Sequence, residues 1–251
     1  MRKSKRQVEE LVFQSQCLNE KITSVVHLPA DYSPLFTYPI LIVQDGQDYF
    51  NLGRLADLSE KLVATGQIHS IIIVAIPYSN VKDRWQCYHP NGKNHDGYLR
   101  FLVHELLPEL SRRYAIDDIA SERALLGDSL GATASLLAAL RYPHTFGRVI
   151  LQSPMVDEEV LNRLRAFNFA PQLSIYHSIG RYETAVRTTN GGIANFTEAN
   201  QRLFHVLKDL PLAYYCFEEH EGDHTWTYWQ DDLKEAMIRM FMRSETDRKP
   251  W

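Results

Sequence analysis

Cysteine is scarce in this chain, with three residues in 251, at Cys17, Cys87 and Cys216. They are odd in number, far apart, and form neither a CxxC pair nor a disulfide ladder. That excludes a disulfide-stapled secreted scaffold and points to a reducing, cytoplasmic setting. Long apolar runs are missing too. The longest, Ile71 to Ile76, falls far short of the roughly 20 residues that a membrane helix needs. No apolar stretch follows the basic start at residues 2–6, so neither a secretory signal nor a membrane partner is expected. Neither sign of charge is in great excess: 27 Lys and Arg face 31 Asp and Glu, for a net charge of −4. No strong positive field exists to gather nucleic acid. Repeats, low-complexity tracts and Pro/Gly/Ser-rich linkers are absent as well. Residues 1–251 therefore read as one domain, with flexible termini at 1–6 and 244–251. No feature of the chain specifies an oligomeric state.

Hydrophobic residues make up 45% of the sequence, enough for a chain of this length to bury a core without staples. Strand candidates recur at Glu10 to Cys17, Ile22 to Leu28, Pro39 to Gln44, Ser70 to Ile76, Arg123 to Leu126, Arg148 to Gln152, Leu173 to Ile179 and Ala213 to Glu218. Several are near-continuous aliphatic runs, as in strands of a parallel sheet buried on both faces. Helical patterns lie between them: Leu55 to Ala64, Tyr98 to Tyr114 with a bend at Pro108, Ser129 to Arg141, Asp157 to Phe167, Glu198 to Lys208 and Asp231 to Met242. Alternating strands and helices predict a doubly wound α/β layer structure, with function in the loops outside the carboxyl ends of the strands.

One such loop reads Gly127-Asp128-Ser129-Leu130-Gly131, a G-x-S-x-G pattern between a strand and an Ala/Leu helix. That setting is what a nucleophile elbow requires, and Ser129 is the candidate nucleophile. The plainer alternative is that Asp128 or Ser129 merely caps the helix. A serine hydroxyl needs a base, and the base needs an orienting acid. With a nucleophile of this kind the expected chain order is Ser, acid, His. Two histidines, His220 and His224, follow the last strand candidate. His224 is preferred because Gly222 and Asp223 supply turn chemistry before it, and Trp226, Tyr228 and Trp229 follow. Their spacing of four could suit a metal on a helix, but Gly222 interrupts it and no third ligand stands out, so neither metal nor cofactor is expected. Glu183, after the strand candidate ending at Ile179, is the candidate acid. A surface ion pair between Arg181 and Glu183 is the alternative.

Acyl transfer also needs donors for the oxyanion. The Leu130 N–H, directly after the nucleophile, is one. The Gln47 N–H, in the loop Asp45-Gly46-Gln47-Asp48, is the second, unless that loop is a plain Asp-Gly turn. The stretch Ser79 to Pro90 is rich in polar and aromatic groups. Arg84 could bind an anionic group, and Trp85 and Tyr88 could stack on an aromatic or sugar substrate, if the stretch is more than a surface loop. The segment Thr188 to Asn195, with Gly191 and Gly192, reads as a flap near the pocket.

Several stretches together resemble the esterase D and enterochelin-esterase-like group of α/β-hydrolases, the "putative esterase" family. They are Val43 to Gln47, Glu105 to Pro108, Gly127 to Ala132, Phe146 to Ser153, Gly180 to Glu183 and Gly222 to Trp226, in family order over nearly the whole chain. The resemblance implies a three-layer α/β-hydrolase fold with a mostly parallel central sheet flanked by helices. It implies Ser129 as nucleophile, His224 as base, Glu183 at the acid position, and Leu130 and Gln47 as oxyanion donors. The Ser79 to Pro90 stretch would line the substrate site. The expected activity is hydrolysis of a small-molecule carboxylic ester through an acyl-serine intermediate. Siderophore lactones, glutathione thioesters, feruloyl esters and simple acyl esters all fit. Acyl transfer, amide or lactone cleavage on the same site, and a catalytically silent binding module are the alternatives.

Overall fold

A computed structural model describes residues 7–166, 172–189 and 191–242. The termini expected to be flexible, and Phe167 at the end of one predicted helix, lie outside these residues. The strands are β1 (Gln7–Ser15), β2 (Glu20–Leu28), β3 (Ile40–Gln44), β4 (Ile72–Ile76), β5 (Arg123–Asp128), β6 (Arg148–Gln152), β7 (Ser174–Gly180), the short β8 (Val186–Arg187) and β9 (Ile193–Ala194), and β10 (Tyr214–His220). Eight of them form one sheet in the order β1-β2-β4-β3-β5-β6-β7-β10, while β8 and β9 pair separately as a two-stranded hairpin. The β1–β2 and β2–β4 pairs are antiparallel, and every pairing from β4 to β10 across the sheet is parallel. Each sheet strand overlaps one predicted run within a few residues.

The aliphatic runs are continuous because both faces of the sheet are covered. Side chains alternate along a strand. Ile40 and Ile42 of β3, Ile72 and Val74 of β4 and Leu125 of β5 enter one core, and Leu41, Val43, Ile73, Ala124 and Leu126 enter the other. The second core is closed by α1 (Gly46–Asn51), α2 (Leu55–Ala64) and α9 (Trp226–Phe241). The first is closed by α3 (Val81–Tyr88), α4 (His95–Phe101), α5 (Leu107–Arg113), α6 (Ser129–Arg141), α7 (Glu158–Arg165) and α8 (Phe196–Leu207). Residues Leu130 to Leu140 of α6 are all buried, and its run of Ala and Ser lets it pack closely against the sheet. No helix among the described residues is long and apolar enough to cross a membrane.

Four helical segments differ from expectation. Residues 46–48, read as part of the loop from Asp45 to Asp48, begin α1, which runs to Asn51. The stretch from Ser79, read as a loop, contains α3, started by Asn80, whose side chain accepts from the Asp83 N–H. The predicted helix from Tyr98 to Tyr114 is two helices joined by a π turn, Leu102–Leu106. Pro108 cannot donate to the His104 carbonyl, and the ladder shifts there, with the Leu107 N–H reaching Leu102. Helix α9 begins at Trp226 rather than Asp231, because the aromatic run before Asp231 is its buried first turn.

Strand β3 is followed by β4 on one side and, after α3 to α5, by β5 on the other. This reversal opens a crevice at the carboxyl edge between β3 and β5. A buried polar network fastens α9 beneath that edge. Asp232 accepts from Tyr176 Oη at 2.6 Å, Ser178 Oγ at 2.7 Å and Gln152 Nε2 at 2.7 Å, and Tyr49 Oη donates to Gln152 Oε1 at 2.9 Å. An Asp232→Ala variant leaves these buried donors unanswered and should lose on the order of 3 kcal/mol in urea unfolding. Tyr176→Phe, which removes one bond and keeps the ring, should lose about 1 kcal/mol.

Candidate active site

Ser129 follows β5 directly and starts α6 with a φ of 50°, in the left-handed region that non-glycine residues avoid. The turn is this tight only because glycines flank it. A Cβ on Gly127 would lie 2.3 Å from the Gly131 carbonyl carbon. Asp128 holds the cap position of α6 but makes no side-chain cap bond, so the segment is not a simple capped helix start.

His224 comes from the loop between β10 and α9. Its Nε2 lies 3.0 Å from Ser129 Oγ and its Nδ1 2.6 Å from Glu183 Oε2. A carboxylate only accepts, so Nδ1 carries the proton and the Nε2 lone pair faces the serine hydroxyl. The ring is wedged edge-to-face between Phe196 at 4.5 Å and Trp229 at 4.8 Å between centroids. Glu183 follows β7 and its side chain is fully buried. Its Oε1 accepts from the Gly180 N–H at 2.9 Å and from Ser153 Oγ at 2.6 Å, and Ser153 in turn accepts from Trp229 Nε1 at 3.0 Å. Arg181, the alternative partner, pairs instead with Glu221 at 2.6 Å. His220, the competing histidine, faces Asp232 at 3.2 Å, and that carboxylate holds its pKa above the ordinary value.

A cavity of about 540 Å³ lies over Ser129, lined among others by Leu130, Trp85, His89, Met155, Phe196 and Trp229. Val186 to Thr189, on and after β8, form another wall. Leu130 lies in the first turn of α6, where N–H groups lack helical partners and favour negative charge. Gln47 sits in the first turn of α1 and is not among the residues that line the cavity, although Asp45 and Asp48 on either side of it are. Trp85 lines the cavity and stacks on His89 at 4.7 Å. Arg84 also lines it, with its guanidinium committed to Asp45 Oδ2 through Nε at 2.9 Å and Nη2 at 2.6 Å. Burial works against that charge, but Asp45 outweighs it and keeps Arg84 above its ordinary range. Tyr88 lies behind Arg84, buried, its ring 5.6 Å from the guanidinium and its hydroxyl accepting from the Asp45 N–H. It lines a neighbouring cavity rather than this one. Among the described residues, no group of three or more His, Cys, Asp or Glu is placed to hold a metal ion.

Ser153 and Phe196 were not singled out in the sequence. Ser153 had one usable signal, a small polar residue ending an aliphatic strand just before Pro154. Removing its hydroxyl leaves Glu183 Oε1 with the Gly180 N–H alone and orphans the Trp229 N–H. A Ser153→Ala variant should lose about ten- to a hundredfold in kcat with little change in KM, as steady-state kinetics on a chromogenic ester would record.

The family described as "Putative esterase" matches residues 15–240. A Bacillus subtilis (strain 168) protein described as "Uncharacterized protein YjcH" is 46% identical over 233 residues, which cover 93% of this chain and 97% of that one. Among solved structures, the enterochelin esterase of Shigella flexneri superimposes with a TM-score of 0.79 at 20% identity, covering 93% of this chain and 57% of its own. This chain thus spans little more than half of that esterase. A ferulic acid esterase gives a TM-score of 0.74 at 19% identity, with 94% and 98% covered. At such identities the likeness shows the fold alone, the three-layer α/β-hydrolase architecture.

Proposed function

The chain belongs to the "Putative esterase" family of carboxylic ester hydrolases, and from that premise we propose that it cleaves a small-molecule ester through an acyl-Ser129 intermediate. The observation that carries this reading is the unbroken chain Glu183–His224–Ser129, with contacts of 2.6 and 3.0 Å.

Ser129 Oγ attacks the ester carbonyl as His224 Nε2 takes its proton. Glu183, held by Ser153 and Gly180, keeps the imidazole in the required tautomer and stabilises the imidazolium. The carbonyl oxygen becomes an oxyanion, answered by the Leu130 N–H at the head of α6 and, on this reading, by the Gln47 N–H at the head of α1. Collapse breaks the ester C–O bond, and His224 returns the proton to the departing alcohol. Water then repeats the sequence on the acyl-enzyme, releasing the acid and restoring Ser129. Each proton passes through one nitrogen and each charge forms beside a fixed dipole, so the scheme uses no metal or cofactor. The cavity of about 540 Å³ lies within the range of small-molecule sites. The free thiols of Cys17, Cys87 and Cys216 support a reducing compartment as the working place.

Ser129→Ala should lower kcat/KM on a short p-nitrophenyl ester by about a thousandfold or more while the far-UV spectrum and Tm stay near wild type. A fluorophosphonate should label the wild type and not the variant. Undiminished turnover by folded Ser129→Ala would overturn the proposal.

A further inference from the structure

Four aspartates, Asp45, Asp48, Asp128 and Asp157, line the cavity over Ser129, against two arginines, Arg84 and Arg187. Their pairing is uneven. Asp157 accepts from the Val160 N–H at 2.9 Å and contacts His89 Nε2 at 3.1 Å. Arg84 binds Asp45 and approaches Asp128 Oδ2 only to 4.0 Å. Two buried carboxylates therefore share one guanidinium. The Asp128 side chain is 9% exposed, lines the cavity, and has one oxygen, Oδ1, with no hydrogen-bond partner. Its burial, with Asp45 adding to it, pushes its pKa up to about 8, as expected of a carboxyl short of counter-charge. Arg187, the other arginine of the wall, stands exposed on β8.

Once Asp128 is ionised, at and above its raised pKa, such a floor repels anions and rewards a cation. Arg84 is not free to take a substrate carboxylate, because Asp45 already occupies it. The walls add a second attraction: Trp85, Phe196 and Trp229 line the same cavity, and aromatic rings attract cations, while the Tyr78 ring already carries Arg84 at 5.7 Å. Asp128 immediately precedes the nucleophile, and adjacent Cα atoms stand about 3.8 Å apart. Both residues line the one cavity, so a cation beside Asp128 shares it with the scissile carbonyl.

We propose that the site takes esters carrying an ammonium group within a few bonds of the carbonyl, recognised by Asp128 and the aromatic walls. The proposal rests on the esterase reading and adds a substrate class to it. The bound cation supplies the positive charge that Arg84 withholds from Asp128.

Binding to Ser129→Ala, measured by calorimetry at about pH 8 so that Asp128 is substantially ionised, tests this without turnover. The ligands are two matched pairs: a choline ester and its carbon isostere, and betaine ethyl ester and its carbon isostere. In at least one pair the cation should bind about tenfold or more tighter than the neutral isostere. Adding Asp128→Asn should cut that ratio to about twofold or less. If the double variant does not fold, raising salt from about 0.05 to 0.5 M with Ser129→Ala alone should still shrink the ratio. A ratio near one in both pairs, a ratio untouched by Asp128→Asn in folded protein, or a salt-independent ratio would each overturn the proposal. Wild-type turnover of the neutral isosteres reports on ester hydrolysis separately. Turnover without cation preference sinks the ammonium site alone. Cation preference without turnover sinks the hydrolytic reading and keeps the site.

Discussion

A fully buried carboxylate is tolerable only if donors surround it, and Glu183 imposes that constraint on the whole carboxyl edge of the sheet. Its donors come from separate places: Ser153 at the end of β6, Gly180 at the end of β7, and His224 from the loop after β10. These elements must therefore converge. Backbone bonds fix the convergence, with Arg181 N–H to the His220 carbonyl at 2.8 Å and Tyr182 N–H to the Gly222 carbonyl at 2.9 Å. Close approach is also built in. A Cβ on Gly180 would lie 2.4 Å from the Gly222 carbonyl oxygen and 2.8 Å from Glu183 Oε1. The loop carrying Glu183 and the loop carrying His224 are thus tied to each other by backbone hydrogen bonds.

A second regularity follows from the parallel sheet. Three neighbouring strands, β3, β5 and β6, each run into a residue with positive φ: Asp45 at 53°, Ser129 at 50° and Ser153 at 46°. Left-handed backbone costs a non-glycine residue roughly 1 kcal/mol or more. Repeated at three adjacent strand ends, it keeps the chain turning sharply where it leaves the sheet. Asp45 is thereby held against Arg84, Ser129 against His224, and Ser153 against Glu183. The surrounding cores, buried on both sides of these strands, supply the stability that offsets the strain.

The fold was legible in the sequence because the central strands β3 to β7 are local patterns, apolar runs buried on both faces and ended by polar or turn residues. The candidates Ser129, between its glycines, and His224 and Glu183, each in a loop after a strand, were local patterns too, and the structure brings their side chains together. What stayed hidden depends on contacts distant in sequence. Helix α3 has few apolar residues on its surface face, and its helical state rests on the Asn80 cap and on Arg84, Cys87 and Tyr88 packing inward. Arg84 read as free to meet an anion because its partner, Asp45, lies 39 positions earlier. Ser153 gains its role from Glu183, 30 positions on. No periodicity carries such pairings.

The Arg84–Asp45 pair links these levels. It joins α3 to the end of β3 across the crevice in which Ser129 sits. Replacing both partners of a buried ion pair is often mild, whereas removing one leaves an uncompensated charge. Arg84 is therefore bound to Asp45 by the cost of leaving that carboxylate alone, and Asp128, 4.0 Å away, receives only what remains of its field. The charge balance beside Ser129 is thus set by a structural contact, and an arginine in the wall does not make the cavity a site for anions. The cavity's electrostatic character has to be read from which charges are already committed: Arg84 is spent on Asp45, and the Asp128 carboxyl, short of counter-charge, holds its proton up to about pH 8.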